Sequence, residues 1–160
     1  MYVEHEFGPL YNKDSKILIL GSIPSIQSRK EKFYYAHNQN RFWQVLSKVF
    51  ETETPKTIEE KKKLILDNNL ALWDVLASCE INNSSDSSIK NPKVNDLNKI
   101  ISKSKIDTIF TTGKKAYNLY QKYCYPNTLI KATYLPSTSS ANIANYSLEQ
   151  LVKYYQALKK

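Results

Sequence analysis

The chain has 160 residues, 41% of them hydrophobic, enough for one domain that buries its own core without outside staples. No run approaches the roughly 20 apolar residues of a membrane span, and the start, MYVEHEFGPLYNKD, lacks the basic head and apolar centre of a signal peptide, so the expected compartment is the cytoplasm. Cys79 and Cys124 are the two cysteines, far apart and joined by only two His, which excludes a disulfide framework and an iron-sulfur cluster; neither a metal nor a cofactor is expected.

The formal charge of +8 favours a polyanionic partner, because phosphate contacts release condensed counterions. Most lysines, Lys61-Lys62-Lys63 included, still read as a solvated helix face.

In chain order, Ile17-Leu18-Ile19-Leu20 is a short apolar run stopped by Gly21, the pattern of a strand buried on both faces. A hydroxyl-lined loop with Ser22, Ile23, Pro24, Ser25 and Ser28 follows. The segment Phe33 to Trp43 then sets five aromatics among three side-chain amides, His37 and Arg41. Asn40 or a neighbour opens a helix whose apolar stripe runs through Phe42, Trp43, Val45, Leu46, Val49 and Phe50. After the break at Thr54-Pro55, Thr57 and Glu60 have capping-box spacing for a helix through Leu66.

Leu70 to Leu76 reads as a second buried strand, Asn82 to Ser88 as a polar loop, and Pro92 to Ser102 as a third helix. Ile106 to Phe110 is a third strand ending in Thr111-Thr112-Gly113, and a helical pattern follows over Ala116, Leu119, Tyr120 and Tyr123. A fourth strand covers about Thr128 to Leu135 and stops at Pro136. The last helix, Ser147 to Leu158, has a Ser147/Gln150 capping box and an inner side of Leu148, Leu151, Tyr154, Tyr155 and Leu158. Strands alternating with helices predict an α/β domain over residues 1–160, with a parallel sheet covered on both faces.

In such a sheet the crevice beyond the carboxyl ends of the strands holds the ligand. The aromatic and amide segment supplies rings that stack on a flat heterocycle and side chains that read its edge. Phe42 and Trp43, at helical spacing, are assigned to the core, and His37 reads as a surface or satisfied core residue ahead of a contact to phosphate or base. A Ser-rich loop after a first strand also suits a flavodoxin-like nucleotide-binding protein, and a DNA-binding module without catalysis is a further alternative; the aromatic and amide segment argues against the flavodoxin reading.

Three blocks, GSIPS with the downstream YYAHNQNRFW, then LALWDVLASC, then YLPSTSSAN, resemble the uracil-DNA glycosylase superfamily, most closely its hypoxanthine-DNA (deoxyinosine) branch. The resemblance spans nearly the whole chain. It implies a three-layer α/β/α sandwich around a four-stranded parallel sheet of order 2-1-3-4, acting as a monomer, away from membranes, on double-stranded DNA with a damaged base. The implied chemistry is hydrolysis of an N-glycosidic bond after the nucleotide has been rotated out of the duplex. The runner-up within the enzyme class is a mismatch-type uracil or ethenocytosine glycosylase.

The resemblance also assigns roles. Relatives carry an Asp or Asn in the first motif to place the attacking water; GSIPS has neither, and the duty passes to Asn40, whose carbonyl oxygen is expected to orient the water. An Asn capping the following helix is the bland alternative. Gly21, Ser22, Ile23, Pro24 and Ser25 are expected to frame the base, with Tyr35 as its stacking platform and Tyr34 or Phe33 behind. Asp74 stands where uracil-excising relatives have an Asn; a carboxylate there accepts from N1–H of hypoxanthine and refuses adenine, which shows a lone pair at N1. Pro136, Ser137, Thr138, Ser139 and Ser140 are expected to hold flanking phosphates. Leu135 replaces the His or Asn of other branches, and Ile143 is a candidate to fill the gap left by the flipped nucleotide.

Overall fold

The residues that stop the four apolar runs all come to rest at one end of one sheet. The computed structural model describes residues 2–4, 7–23, 26–80 and 90–159. In chain order the strands are β1 (Tyr2–Glu4), β2 (Ile17–Gly21), β3 (Leu70–Asp74), β4 (Leu76–Glu80), β5 (Lys90–Val94), β6 (Thr108–Thr112) and β7 (Ala132–Leu135). Four of them form the main sheet in the order β3-β2-β6-β7, with each neighbouring pair parallel. Numbered within that sheet, the order is the expected 2-1-3-4. Every residue of β2 and β3 is buried, as central strands covered on both faces require.

The helices are α1 (Ile26–Glu31), α2 (Phe42–Val49), α3 (Ile58–Asp67), α4 (Asn98–Ile101), α5 (Lys114–Leu119), α6 (Tyr125–Thr128) and α7 (Leu148–Tyr155). The crossover from β2 to β3 and that from β6 to β7 move in opposite directions along the sheet. Right-handed connections therefore lay α2 and α3 on one face and α5 on the other, and α7 packs beside α2. Both expected capping boxes are present, Thr57 with Glu60 and Ser147 with Gln150. The outer edge of β3 is covered by Leu10, which exchanges two 2.9 Å backbone bonds with Leu72.

Several expectations are corrected. The second apolar run is not one strand: β3 ends at Asp74, and Leu76 starts β4, which joins β1 and β5 in a small antiparallel sheet that the sequence analysis lacks. The bend is held by Asn95, whose amide donates to the carbonyls of Asp74 and Leu76 at 2.8 and 3.2 Å. Pro92 lies in β5 at the edge of that sheet, where a missing N–H is tolerated, so the third helix shrinks to α4. The third strand starts at Thr108 rather than Ile106 and runs on through Thr112. Helix α5 continues through a π-helical turn, Tyr120–Cys124, into α6, and Leu129 in the left-handed region ends it, which shortens the fourth strand to β7. On α7, Tyr155 is buried as expected whereas Tyr154 is 53% exposed. The expected loop over 82–88 lies outside the described residues.

Tyr34 and Tyr155 are buried with their hydroxyls donating to Gly8 and Pro136 carbonyls at 3.0 and 2.7 Å. Burial pushes both phenols well above the ordinary tyrosine range. The unfolded chain therefore releases these protons first, and the stability they contribute, complete below pH of about 10, falls as pH rises beyond it. Circular dichroism and phenolate absorbance recorded together should show these tyrosines ionising with unfolding; their titration near the ordinary value in an intact fold would contradict the packing.

Candidate active site

The register sets Gly21 opposite Asp74 across β2 and β3, and Thr112 opposite Leu135 across β6 and β7. Four strand ends thus form one line. The approach at its centre is close: a Cβ on Gly21 would lie 2.6 Å from Asp74 Oδ1 and 3.6 Å from the Tyr35 hydroxyl. The carboxylate occupies the space that any larger residue at 21 would need. Asp74 is 4% exposed and takes part in interactions of its own. The Gly21 and Ser22 carbonyls accept from Val75 and Leu76 N–H at 2.8 and 3.0 Å, which holds the two strand ends together past the bend.

Tyr35 is delivered by a tight loop. Ser28, 2% exposed, accepts Ala36 N–H on its hydroxyl at 3.0 Å and Phe33 N–H on its carbonyl at 3.1 Å. Tyr35 itself sits at φ 52°, a strained left-handed conformation for a bulky residue that the surrounding contacts have to enforce. Its ring stacks on Phe42 with centroids 3.8 Å apart and planes 12° from parallel. Thr112 Oγ1 lies 3.4 Å from the Leu20 carbonyl and 3.5 Å from the Tyr35 hydroxyl, so its one proton is shared between two acceptors. Burial first, and the neighbouring Asp74 carboxylate second, raise the Tyr35 phenol far above its ordinary range, with the Thr112 bond acting against them. It remains a neutral donor.

Phe42 and Trp43 open α2 and are buried, as expected; Trp43 Nε1 donates to the Tyr34 carbonyl at 3.3 Å and its ring stacks on Phe33. Phe33 and Tyr34 are buried, but the ring that backs Tyr35 is Phe42, with Tyr34 in a tilted pair 6.5 Å from Tyr35. Asn40 precedes this helix. Its Oδ1 accepts Phe42 N–H at 2.9 Å and lies 2.7 Å from Thr138 Oγ1. The oxygen thus holds the leading N–H of α2, although the N-cap position itself is Arg41, and is bonded to the last loop as well. A backbone N–H only donates, so the atom facing Phe42 is the oxygen, and the Thr138 hydroxyl is the second donor to it. The carbonyl expected to orient water already has two donors, and the amide nitrogen has no partner among the described residues. His37 is exposed and accepts Gln39 N–H on Nδ1, the ordinary role of a turn residue.

The loop after β7 folds on itself: Ser137 Oγ accepts Ser139 N–H at 3.1 Å, Ser139 Oγ accepts Ala141 N–H at 3.3 Å, and Asn142 donates to the Ser137 carbonyl at 2.9 Å. Ser137, Ser139 and Ser140 are partly exposed, and the first two retain a hydroxyl proton to give to a phosphate. Pro136 is buried, and Thr138, expected among the phosphate-holding hydroxyls, is 1% exposed and turned to Asn40. Ile143 is 51% exposed beside them in sequence. Ile23 is half-buried, whereas Pro24 and Ser25 lie outside the described residues. Thr112 and Asn95 are members of the site's frame that sequence reasoning missed, Thr112 despite a signal in the TTG at the end of β6, and Arg41 was noted only as one member of the aromatic and amide segment.

The fold that carries these residues recurs in known proteins. The family model described as the Uracil DNA glycosylase superfamily matches residues 9–159. The chain belongs to that superfamily. It is 30% identical over 118 residues to a protein named Hypoxanthine DNA glycosylase from Methanosarcina acetivorans, a match covering 71% of this chain and 73% of that one. A protein of the same name from Methanosarcina barkeri is 31% identical over 93 residues, 57% of this chain and 58% of its own. The solution NMR structure of a "putative Uracil DNA glycosylase" from Methanosarcina acetivorans superposes with a TM-score of 0.82 at 26% identity, covering 100% of both chains. The flavodoxin-like alternative is thereby set aside.

Gly21→Ala should displace Asp74 and lower stability by about 1–3 kcal/mol through overpacking. In an Asp74→Ala background the same change should cost less, because its neighbour has been trimmed. Thermal unfolding of the four proteins measures this, and equal costs in the two backgrounds would contradict the close approach.

Proposed function

We propose that this protein is a monofunctional DNA glycosylase that hydrolyses the N-glycosidic bond of deaminated adenine, hypoxanthine, and leaves an abasic site. The observation that carries the reading is the Asp74 carboxylate set against Gly21, beside a neutral Tyr35 phenol, at the carboxyl end of the sheet. The names of the Methanosarcina relatives point to the same base. Hypoxanthine offers N1–H to Asp74, and Gly21, Ser22 and Ile23 frame its other edge. Adenine would set a lone pair against the carboxylate. A buried mismatch of that kind costs about 1–3 kcal/mol.

The Tyr35–Phe42 stack is the platform for the flipped base. The bond from C1′ to the base breaks with its electron pair leaving on the base, a water oxygen bonds to the oxocarbenium-like C1′, and the proton that this water releases balances the one the base takes up. Such a reaction needs placement more than a strong base. Asn40 is the proposed catalytic residue. With its oxygen already receiving two donors, the arm that holds the water is its N–H, which occupies one lone pair of the water and directs the other at C1′.

The +8 charge and the Ser137, Ser139 and Ser140 hydroxyls provide the backbone affinity for double-stranded DNA. We place the protein in the cytoplasm as a monomer; among the described residues no helix is long and apolar enough to cross a membrane.

Duplexes bearing hypoxanthine, uracil, xanthine or ethenocytosine, incubated with excess protein, test this reading. Free hypoxanthine should be the preferred product, and Asn40→Ala should slow single-turnover release by about two orders of magnitude or more with little change in binding. Preferential release of uracil or ethenocytosine, or an Asn40→Ala protein as fast as the parent, would refute it.

A further inference from the structure

We propose that Thr138 is a positioning residue: its hydroxyl fixes the rotamer of Asn40 and so decides which arm of that amide meets the reacting water. The proposal rests on the glycosylase reading above and adds to it a residue whose hydroxyl faces the protein and not DNA. Thr138 grips the catalytic segment twice. Its hydroxyl donates to Asn40 Oδ1 at 2.7 Å, and its carbonyl accepts Arg41 N–H at 3.1 Å. At 1% exposure it has no surface left for a phosphate.

The far end of the same loop is tied to the same place, since Arg41 Nη1 donates to the Tyr146 carbonyl at 2.8 Å. Arg41 Nε and Nη2 are buried without partners among the described residues, so that single bond is what holds the guanidinium by polar contact. The loop after β7 and the start of α2 are therefore one unit, clasped at Asn40, Arg41, Thr138 and Tyr146.

The consequence for chemistry follows from counting lone pairs. An amide oxygen has two. Phe42 N–H takes one, and with Thr138 on the other the plane of the amide is defined by two donors. Without the hydroxyl, one donor remains and the amide turns about its Cβ–Cγ bond, carrying the N–H arm off its line. The effect belongs to the rate and not to DNA affinity, because the Thr138 hydroxyl is buried and directed at Asn40.

Thr138→Val keeps the shape and removes the donor, whereas Thr138→Ser keeps the donor. Single-turnover release from an inosine duplex should fall about tenfold or more in Thr138→Val with the dissociation constant changed less than about twofold, and Thr138→Ser should restore most of the rate. In an Asn40→Ala background, Thr138→Val should change the rate by less than about twofold, because the two act as one unit. The NMR signals of the Asn40 side-chain amide in the free protein should shift or broaden in Thr138→Val and return in Thr138→Ser. A loss confined to affinity, a Thr138→Ser protein as slow as Thr138→Val, or an unmoved Asn40 amide would overturn the proposal. The NMR arm needs no substrate, so it separates failure of this role from failure of the glycosylase reading.

Discussion

The architecture of the site depends on one close approach, that of the Asp74 carboxylate to the bare backbone of Gly21, at 2.6 Å from where a side chain would begin. Two parallel strands bring these residues into register, and only a residue without a Cβ lets the carboxylate lie over the neighbouring strand. From there contacts run outward without a break. Tyr35 lies over Gly21, Phe42 under Tyr35, Asn40 on the backbone of Phe42, and Thr138 on Asn40. Residues from three distant stretches of chain become one constellation through packing and directional bonds.

That chain of contacts divides the proposed labour. The strand ends are rigid and buried, and they carry recognition of the base. Asn40 sits on a helix entrance whose orientation is set by a neighbouring loop, and it carries the placement of water. The serine hydroxyls of that loop are partly exposed, and to them falls the contact with the DNA backbone. Each group has the burial its task requires: recognition by a carboxylate is strongest where water is excluded, while phosphate binding needs exposure.

Much of this was legible in the sequence because it follows from periodicity and capping. Ile17 to Gly21, the stripe on α2 and the two capping boxes depend on local pattern, which is what a single sequence records. The second sheet was not legible. Val75 and Leu76 resume the apolar run straight after Asp74, and the turn into β4 depends on Asn95, about twenty positions away. Pro92 looked like a helix start because its tolerance in a strand depends on edge position, a property of the whole sheet. Tyr154 and Tyr155 were both placed inward since adjacent aromatics on a helix differ by 100° and the pattern alone does not say which one the neighbour covers. At the site, the resemblance pointed to Asn40, Tyr35 and Asp74, but not to the direction of the Asn40 amide. That direction is set by the Phe42 N–H and by Thr138, a residue whose composition-level signal is only that of a Ser-rich turn.

The central claim, that the carboxylate at Gly21 reads the protonation pattern of the base, is tested most directly by the ratio of hypoxanthine to adenine release in Asp74→Asn against the parent, measured on otherwise identical duplexes. An amide can rotate to offer a donor to N1 of adenine where the carboxylate offers only acceptors. The account predicts that the parent spares adenine and that the ratio narrows by about tenfold or more in Asp74→Asn, the scale set by one buried hydrogen-bond mismatch. An unchanged ratio in a variant that still cleaves would contradict it.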